Sequence, residues 1–135
     1  MAITLATYRR WQMPPEARDC IFACCLHEHE LARVLIHAFV VMPDHVHLLL
    51  TPLRGQANEL FSLPEIMAGI KDASAHAVNH ALDRRGKVWE KEYFDHIVRK
   101  GNMDAKFDYV VQNPVAMRLV QDPADYPWLW TNTDY

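Results

Sequence analysis

The sequence is poor in cysteine and glycine, with three and four, and poor in net charge, with 14 basic against 17 acidic side chains for a total of -3. Cys20, Cys24 and Cys25 are odd in number and crowd into one stretch. They cannot build a disulfide framework, and they read as buried free thiols of a reducing compartment. No structural zinc site can be assembled from them. The charge balance excludes a strongly basic nucleic-acid coat protein but leaves room for a local basic groove. No apolar run approaches the ~18 residues of a bilayer span. Arg9-Arg10-Trp11 follows the start after only a few apolar residues. No signal peptide is therefore expected, and a cytoplasmic protein is. Repeats, low-complexity tracts and linkers are absent as well.

The 135 residues, 50% hydrophobic and 23% charged, suit a single globular domain over 1–135. Ile3–Tyr8 reads as a first strand. Pro14-Pro15-Glu16 opens a helix to about Glu30, since proline fits a first turn and an acid suits the dipole there. Leu35–Val41 and His45–Thr51, dense in branched residues, read as an antiparallel hairpin about Met42-Pro43-Asp44. Ser62 and Glu65 form a capping box. The helix behind it is expected to carry the stripe Ile66, Ile70, Ala73, Ala77 and Ala81 and to stop at Gly86, after Arg84-Arg85. Tyr93–Val98 reads as a strand and Asp104–Asn113 as a last main helix, ended by Pro114. A helical turn over Val115–Leu119 and an irregular tail over about 121–135, with Tyr126, Trp128 and Trp130 packed on the core, complete the reading. The order β-α-β-β-α-β is that of a ferredoxin-like α+β fold: an antiparallel sheet with helices on one face, here with an added C-terminal helix.

The first chemical signal is His45-Val46-His47. Alternate strand residues share a face, so the imidazoles sit roughly 6–7 Å apart at the backbone and can converge on one cation. Two surface histidines on a half-exposed strand would look the same. His27 and His29 have the same spacing on a helix, where it makes them diverge; His76 and His80 are a helical i, i+4 pair without a third ligand. The second signal is Tyr109-Val110-Val111-Gln112-Asn113-Pro114. Tyr109 and Asn113 share one helix face, a tyrosine hydroxyl can be a covalent nucleophile, and an amide oxygen can ligate a metal. A packed tyrosine and a helix-ending asparagine are the plainer reading of that pair.

Together the two stretches, Phe39–Pro52 and Phe107–Val120, resemble the IS200-like single-tyrosine transposases of the HUH superfamily, and more closely the REP-associated tyrosine transposases of bacteria. Thr7-Tyr8-Arg9-Arg10 resembles the family's first strand and its basic end. The segment from Lys87 to Asp95, containing Trp89, Tyr93 and Phe94, resembles an aromatic motif of the family, and Asp122–Trp128 its C-terminal signature. The likeness spans residues 3 to 130. It implies that His45 and His47 are paired metal ligands, that Asn113 is the third, and that Tyr109 is the nucleophile. It implies Mg2+ or Mn2+ as cofactor and single-stranded DNA with a hairpin as partner. The reaction implied is nicking and strand transfer through a 5′-phosphotyrosine, with no need of ATP. Both a homodimer and a monomer fit the resemblance. Two positions depart from it: Arg118 stands where the family usually has glycine, and Asp44, where asparagine is common, sets a negative charge beside the histidines.

Phosphate contacts are expected from Arg9 and Arg10, from Arg84, Arg85, Lys87 and Lys91, and from Arg99, Lys100 and Lys106. Trp89, Tyr93 and Phe94 are candidates for base stacking, Trp89 being the one that reads best as core. Two rival functions share these features. One is a hairpin-binding module without turnover. The other is a metal-dependent phosphodiesterase with a structural Tyr109.

Overall fold

The computed structural model describes residues 1–133, apart from the side chain of Lys100. Strand β1 (Ala2–Ala6) alternates, burying Ile3 and Leu5 on one face and turning Ala2, Thr4 and Ala6 to the other. It ends two residues short of the expected Tyr8. Tyr8–Arg10 is instead a tight turn with Arg9 and Arg10 at φ 53° and 55°. Helix α1 (Pro15–Glu30) starts after Pro14, as proline chemistry predicts, and buries Ala17, Ile21, Cys25 and Glu28. Glu28 survives burial because Arg33 pairs with it at 2.5 Å. The Cys25 thiol is fully enclosed, and burial pushes its pKa far up, so it is an inert core group.

Strands β2 (Val34–Val41) and β3 (His45–Pro52) form the expected hairpin, closed where the Met42 N–H donates to the His45 carbonyl at 2.8 Å. β2 carries a bulge at His37: Ile36 pairs with Leu50 and Ala38 with Leu49, leaving His37 as the extra residue. The Ser62 hydroxyl caps helix α2 (Leu63–Ala81) by accepting from the Glu65 N–H at 3.2 Å.

Two expectations about α2 fail. Its buried row is Ile66, Met67, Ile70, Ser74 and Val78, whereas Ala73 and Ala81 are exposed. Ser74 enters the core because its hydroxyl donates to the Ile70 carbonyl at 2.6 Å and accepts from the Trp89 indole N–H at 2.9 Å. The helix ends at Ala81, well before Gly86. Asp83 takes the left-handed position at φ 50°, and the Arg84 N–H returns to the Asn79 carbonyl at 2.9 Å. Arg84 and Arg85 consequently lie beyond the helix.

Strand β4 is only Phe94–His96, shorter than Tyr93–Val98, because only these residues pair with β1. Helix α3 runs Met103–Ala116, through Pro114 instead of stopping before it. Pro114 falls in the last turn, where the helix closes by a Schellman pattern: the Arg118 N–H donates to Val115 and the Leu119 N–H to Pro114, each at 2.9 Å. Arg118 therefore occupies, at φ 62°, the left-handed site that glycine prefers. An Arg118→Gly chain should gain about 0.5–1 kcal/mol, visible as a higher denaturant midpoint at unchanged slope.

The tail is not irregular throughout. Leu129–Thr131 is strand β5, paired with β2, and the Tyr126 hydroxyl donates to the Val41 carbonyl at 2.6 Å. The five-stranded sheet has order β4-β1-β3-β2-β5, all neighbours antiparallel. Its first four strands follow the ferredoxin-like order, so the expected α+β architecture holds. One face buries Ile3, Leu5, Phe39, Val46 and Leu48 under α1 and α2. The other buries Ala38, Val40, Met42 and Leu49 under α3 through Val110, with Met103 and Phe107 alongside. At about 1.5–3 kcal/mol for each fully buried large side chain, the first face holds most of the stability, and α3 is the more lightly held layer. Among the described residues, no helix is long and apolar enough to cross a membrane.

Candidate active site

The parity of β3 decides what faces α3. Val46 and Leu48 point to the α1/α2 core, so His45, His47 and Leu49 point to the α3 side. In the register, His47 pairs with Thr4 and His45 with Ala6, whose small side chain leaves the first imidazole room. The two rings lie edge to face, 4.6 Å apart between centroids. Each has one nitrogen engaged: His45 Nδ1 with Asp44 Oδ1 at 2.7 Å, and His47 Nδ1 with Thr4 Oγ1 at 3.1 Å. Nε2 remains on both for another partner. Burial, and then the neighbouring His45, lower the His47 pKa to about 4. The ring is thus neutral near pH 7, the form a metal ligand requires.

Helix α3 brings Tyr109 to this pair. Its ring meets His47 edge to face at 5.3 Å, while the residue stays 56% exposed. Lys106, Tyr109 and Asn113 follow one another along the helix at i, i+3 and i+7, beside the buried row that docks on the sheet. Asn113 is only 6% exposed, and its Oδ1 has no hydrogen-bond partner among the described residues. A buried amide oxygen left so costs about 1–3 kcal/mol, and a cation would satisfy it. Two imidazoles and an amide oxygen with open positions suit Mn2+ or Mg2+ carrying waters, and nitrogen ligands also accept Zn2+. Among the described residues no three His, Cys, Asp or Glu side chains cluster in a metal-holding way.

A cleft of about 220 Å3 opens beside the pair, lined among others by Thr4, His47, Phe94, His96, Lys106 and Tyr109. Thr4 and His96 escaped the sequence reading, because only the β1 register with β3 and β4 brings them here. The basic residues fall into separate places. Arg9 and Lys87 flank the Tyr8 ring at 5.1 and 5.2 Å, and Arg84 covers the Trp11 ring at 4.0 Å. Arg10 faces Asp44 at 3.7 Å, which ties this basic, aromatic patch to the histidine strand. Arg85 and Lys91 are exposed with no bearing on either place, and Arg99 lines a neighbouring hollow with His96 and Asn102. The Lys100 side chain lies outside the described residues. Trp89 is core, as its sequence setting suggests.

A split β-α-β sheet with two histidines on its middle strand, and a tyrosine set against them by a separate helix, groups a hydroxyl that can act as a nucleophile with ring nitrogens that can bind a cation. Residues 2–113 match the family described as IS200-like transposases, and the chain belongs to that family. Over 97 residues, 67% of this chain, it is 23% identical to a Haemophilus influenzae protein that carries the name REP-associated tyrosine transposase. The chain spans 55% of that relative's length. Among solved structures, a REP-associated tyrosine transposase bound to a REP hairpin superposes with a TM-score of 0.73, covering 95% of this chain and 73% of that one at 22% identity. A Deinococcus radiodurans protein described as a transposase gives 0.58, covering 83% and 87% at 24% identity. At those identities the structural likenesses establish the shared fold.

Proposed function

We propose that this transposase-family chain nicks and rejoins single-stranded DNA next to a hairpin, with Tyr109 as nucleophile. His45, His47 and Asn113 would hold a divalent cation, Mg2+ or Mn2+. The observation that carries the reading is the Tyr109 ring lying 5.3 Å from His47 within one chain, beside an open cleft. The cation, when bound, would supply Lewis-acid polarisation of the scissile phosphate. The Tyr109 oxygen attacks phosphorus, the bond to the 3′ oxygen breaks, and that oxygen leaves as a 3′-hydroxyl after taking up a proton. The 5′-phosphotyrosine retains the phosphodiester energy, so a second 3′-hydroxyl can reverse the step.

Lys106 lines the cleft and offers a positive charge to the phosphate, and the exposed Arg9, Arg10 and Lys87, with the partly exposed Arg84 beside them, form a patch that suits the backbone of a hairpin stem. Phe94 is 75% exposed on the edge strand and lines the same cleft as Tyr109. An aromatic ring held in water beside a nucleophile is placed to stack on a base. Phe94→Ala should weaken single-strand binding by about 1–3 kcal/mol, measured by anisotropy with a single-stranded oligonucleotide, at unchanged melting temperature. The function itself is tested with labelled hairpin oligonucleotides and Mn2+ or Mg2+. A denaturation-resistant protein–DNA band that needs the metal supports the reading. Retarded but uncleaved DNA supports a binding module, and turnover without a trapped band supports a hydrolase.

A further inference from the structure

We propose that Asp44 is a positioning residue that holds His45 in one tautomer, with the proton on Nδ1 and Nε2 left bare. The inference rests on the reading of His45 as a cation ligand. Side chains of adjacent residues within a strand point to opposite faces and do not meet. Asp44 and His45 meet at 2.7 Å because Asp44 is still in the turn and β3 begins at His45. A carboxylate only accepts, so the imidazole N–H in this contact sits on Nδ1 and the lone pair on Nε2. Such a charged hydrogen bond fixes the tautomer and the orientation of the ring.

The turn is built to keep the carboxylate there. The Asp44 carbonyl accepts the Thr7 N–H at 3.0 Å and lies 3.0 Å from the Thr7 hydroxyl. The Met13 N–H donates to the Pro43 carbonyl at 2.7 Å. Thr7 and Met13 are themselves buried, so the turn is clamped from two sides. The second carboxylate oxygen has separate partners, Arg10 at 3.7 Å and Gln12 at 3.5 Å, which leaves Oδ1 to the histidine. His47 has only the neutral Thr4 hydroxyl on its inner nitrogen. Of the two histidines, His45 alone is oriented by a charge.

The test uses the full chain and two readouts: imidazole 15N shifts without metal, and Mn2+ titration by calorimetry. The wild type should show His45 as the Nδ1–H tautomer. Asp44→Ala should mix its tautomers and weaken Mn2+ binding roughly 10–100-fold, leaving the His47 shifts in place. Asp44→Asn, whose amide oxygen still accepts, should keep the tautomer and most of the affinity. Two results overturn the proposal: an unchanged tautomer or affinity in Asp44→Ala, or an affinity loss in Asp44→Asn as large as in Asp44→Ala despite a retained tautomer. If Asp44→Ala unfolds, the asparagine variant decides by its tautomer and affinity. A wild type that binds no Mn2+ while its His45 tautomer still answers to Asp44 sinks the cation reading and leaves the positioning role standing.

Discussion

Tyr109→Phe should keep its fold and lose the covalent DNA adduct altogether. The substitution removes one oxygen atom. The ring contact with His47 persists, and the hydroxyl sits on a 56% exposed residue with no hydrogen bond seen among the described residues. Stability should therefore stay within about 0.5 kcal/mol of the parent. Covalent capture should fall by at least ~10³-fold, since no other group takes over an absent nucleophile at its position. Hairpin binding by gel retardation should be unaltered. Adduct persisting in Tyr109→Phe would place the nucleophile elsewhere and reduce Tyr109 to a packing residue.

His47→Ala is the second large effect. It removes a ring whose centroid lies 4.6 Å from that of His45 and 5.3 Å from that of Tyr109, so on the proposed function a cation would lose a ligand and Tyr109 its neighbour. Mn2+ affinity should drop by more than the ~10–100-fold typical of an outer-shell partner, and cleavage should drop with it. His27→Ala and His76→Ala supply the controls: both side chains are exposed on helices away from this strand, and neither change should move Mn2+ affinity. Calorimetric titration of the three variants side by side separates loss of a ligand from loss of surface histidine. Equal affinity in all three would remove His47 from the cation site.

Much of this was legible in the sequence, for reasons specific to the residues. The strand period alone puts His45 and His47 on one face, and the helix period alone puts Tyr109 and Asn113 on one face. What neither period can say is that the two faces meet. That follows from α3 docking on the β3 side through Val110, a tertiary fact with no local signature. The sequence favours Ala73 over Ser74 because a serine does not read as core until its partner, the distant Trp89 indole, is known. The tail reads as irregular in sequence because Leu129–Thr131 is a strand only by pairing with β2. Glycine preference points to Gly86 as the end of α2, whereas Asp83 does the same backbone work earlier. Asp44 was visible as a charge, but its hydrogen bond to the next residue depended on where the turn ends.

The bulge at His37 has a bearing on how this strand tolerates sequence drift. Before it, Val34 and Ile36 face α1 and α2; after it, Phe39 and Val41 do, so the alternation restarts by one residue. Because Ile36 and Ala38 already oppose the adjacent partners Leu50 and Leu49, a chain without His37 would run on as a regular ladder with every other residue on its present face. Phe39 and Val41 would still meet α1 and α2, and Ala38 and Val40 the α3 side; what would be lost is the buried His37 ring and its 2.8 Å contact between Nε2 and the Thr51 hydroxyl. Homologous chains should therefore accept one residue fewer at this position more readily than at any other place in β2.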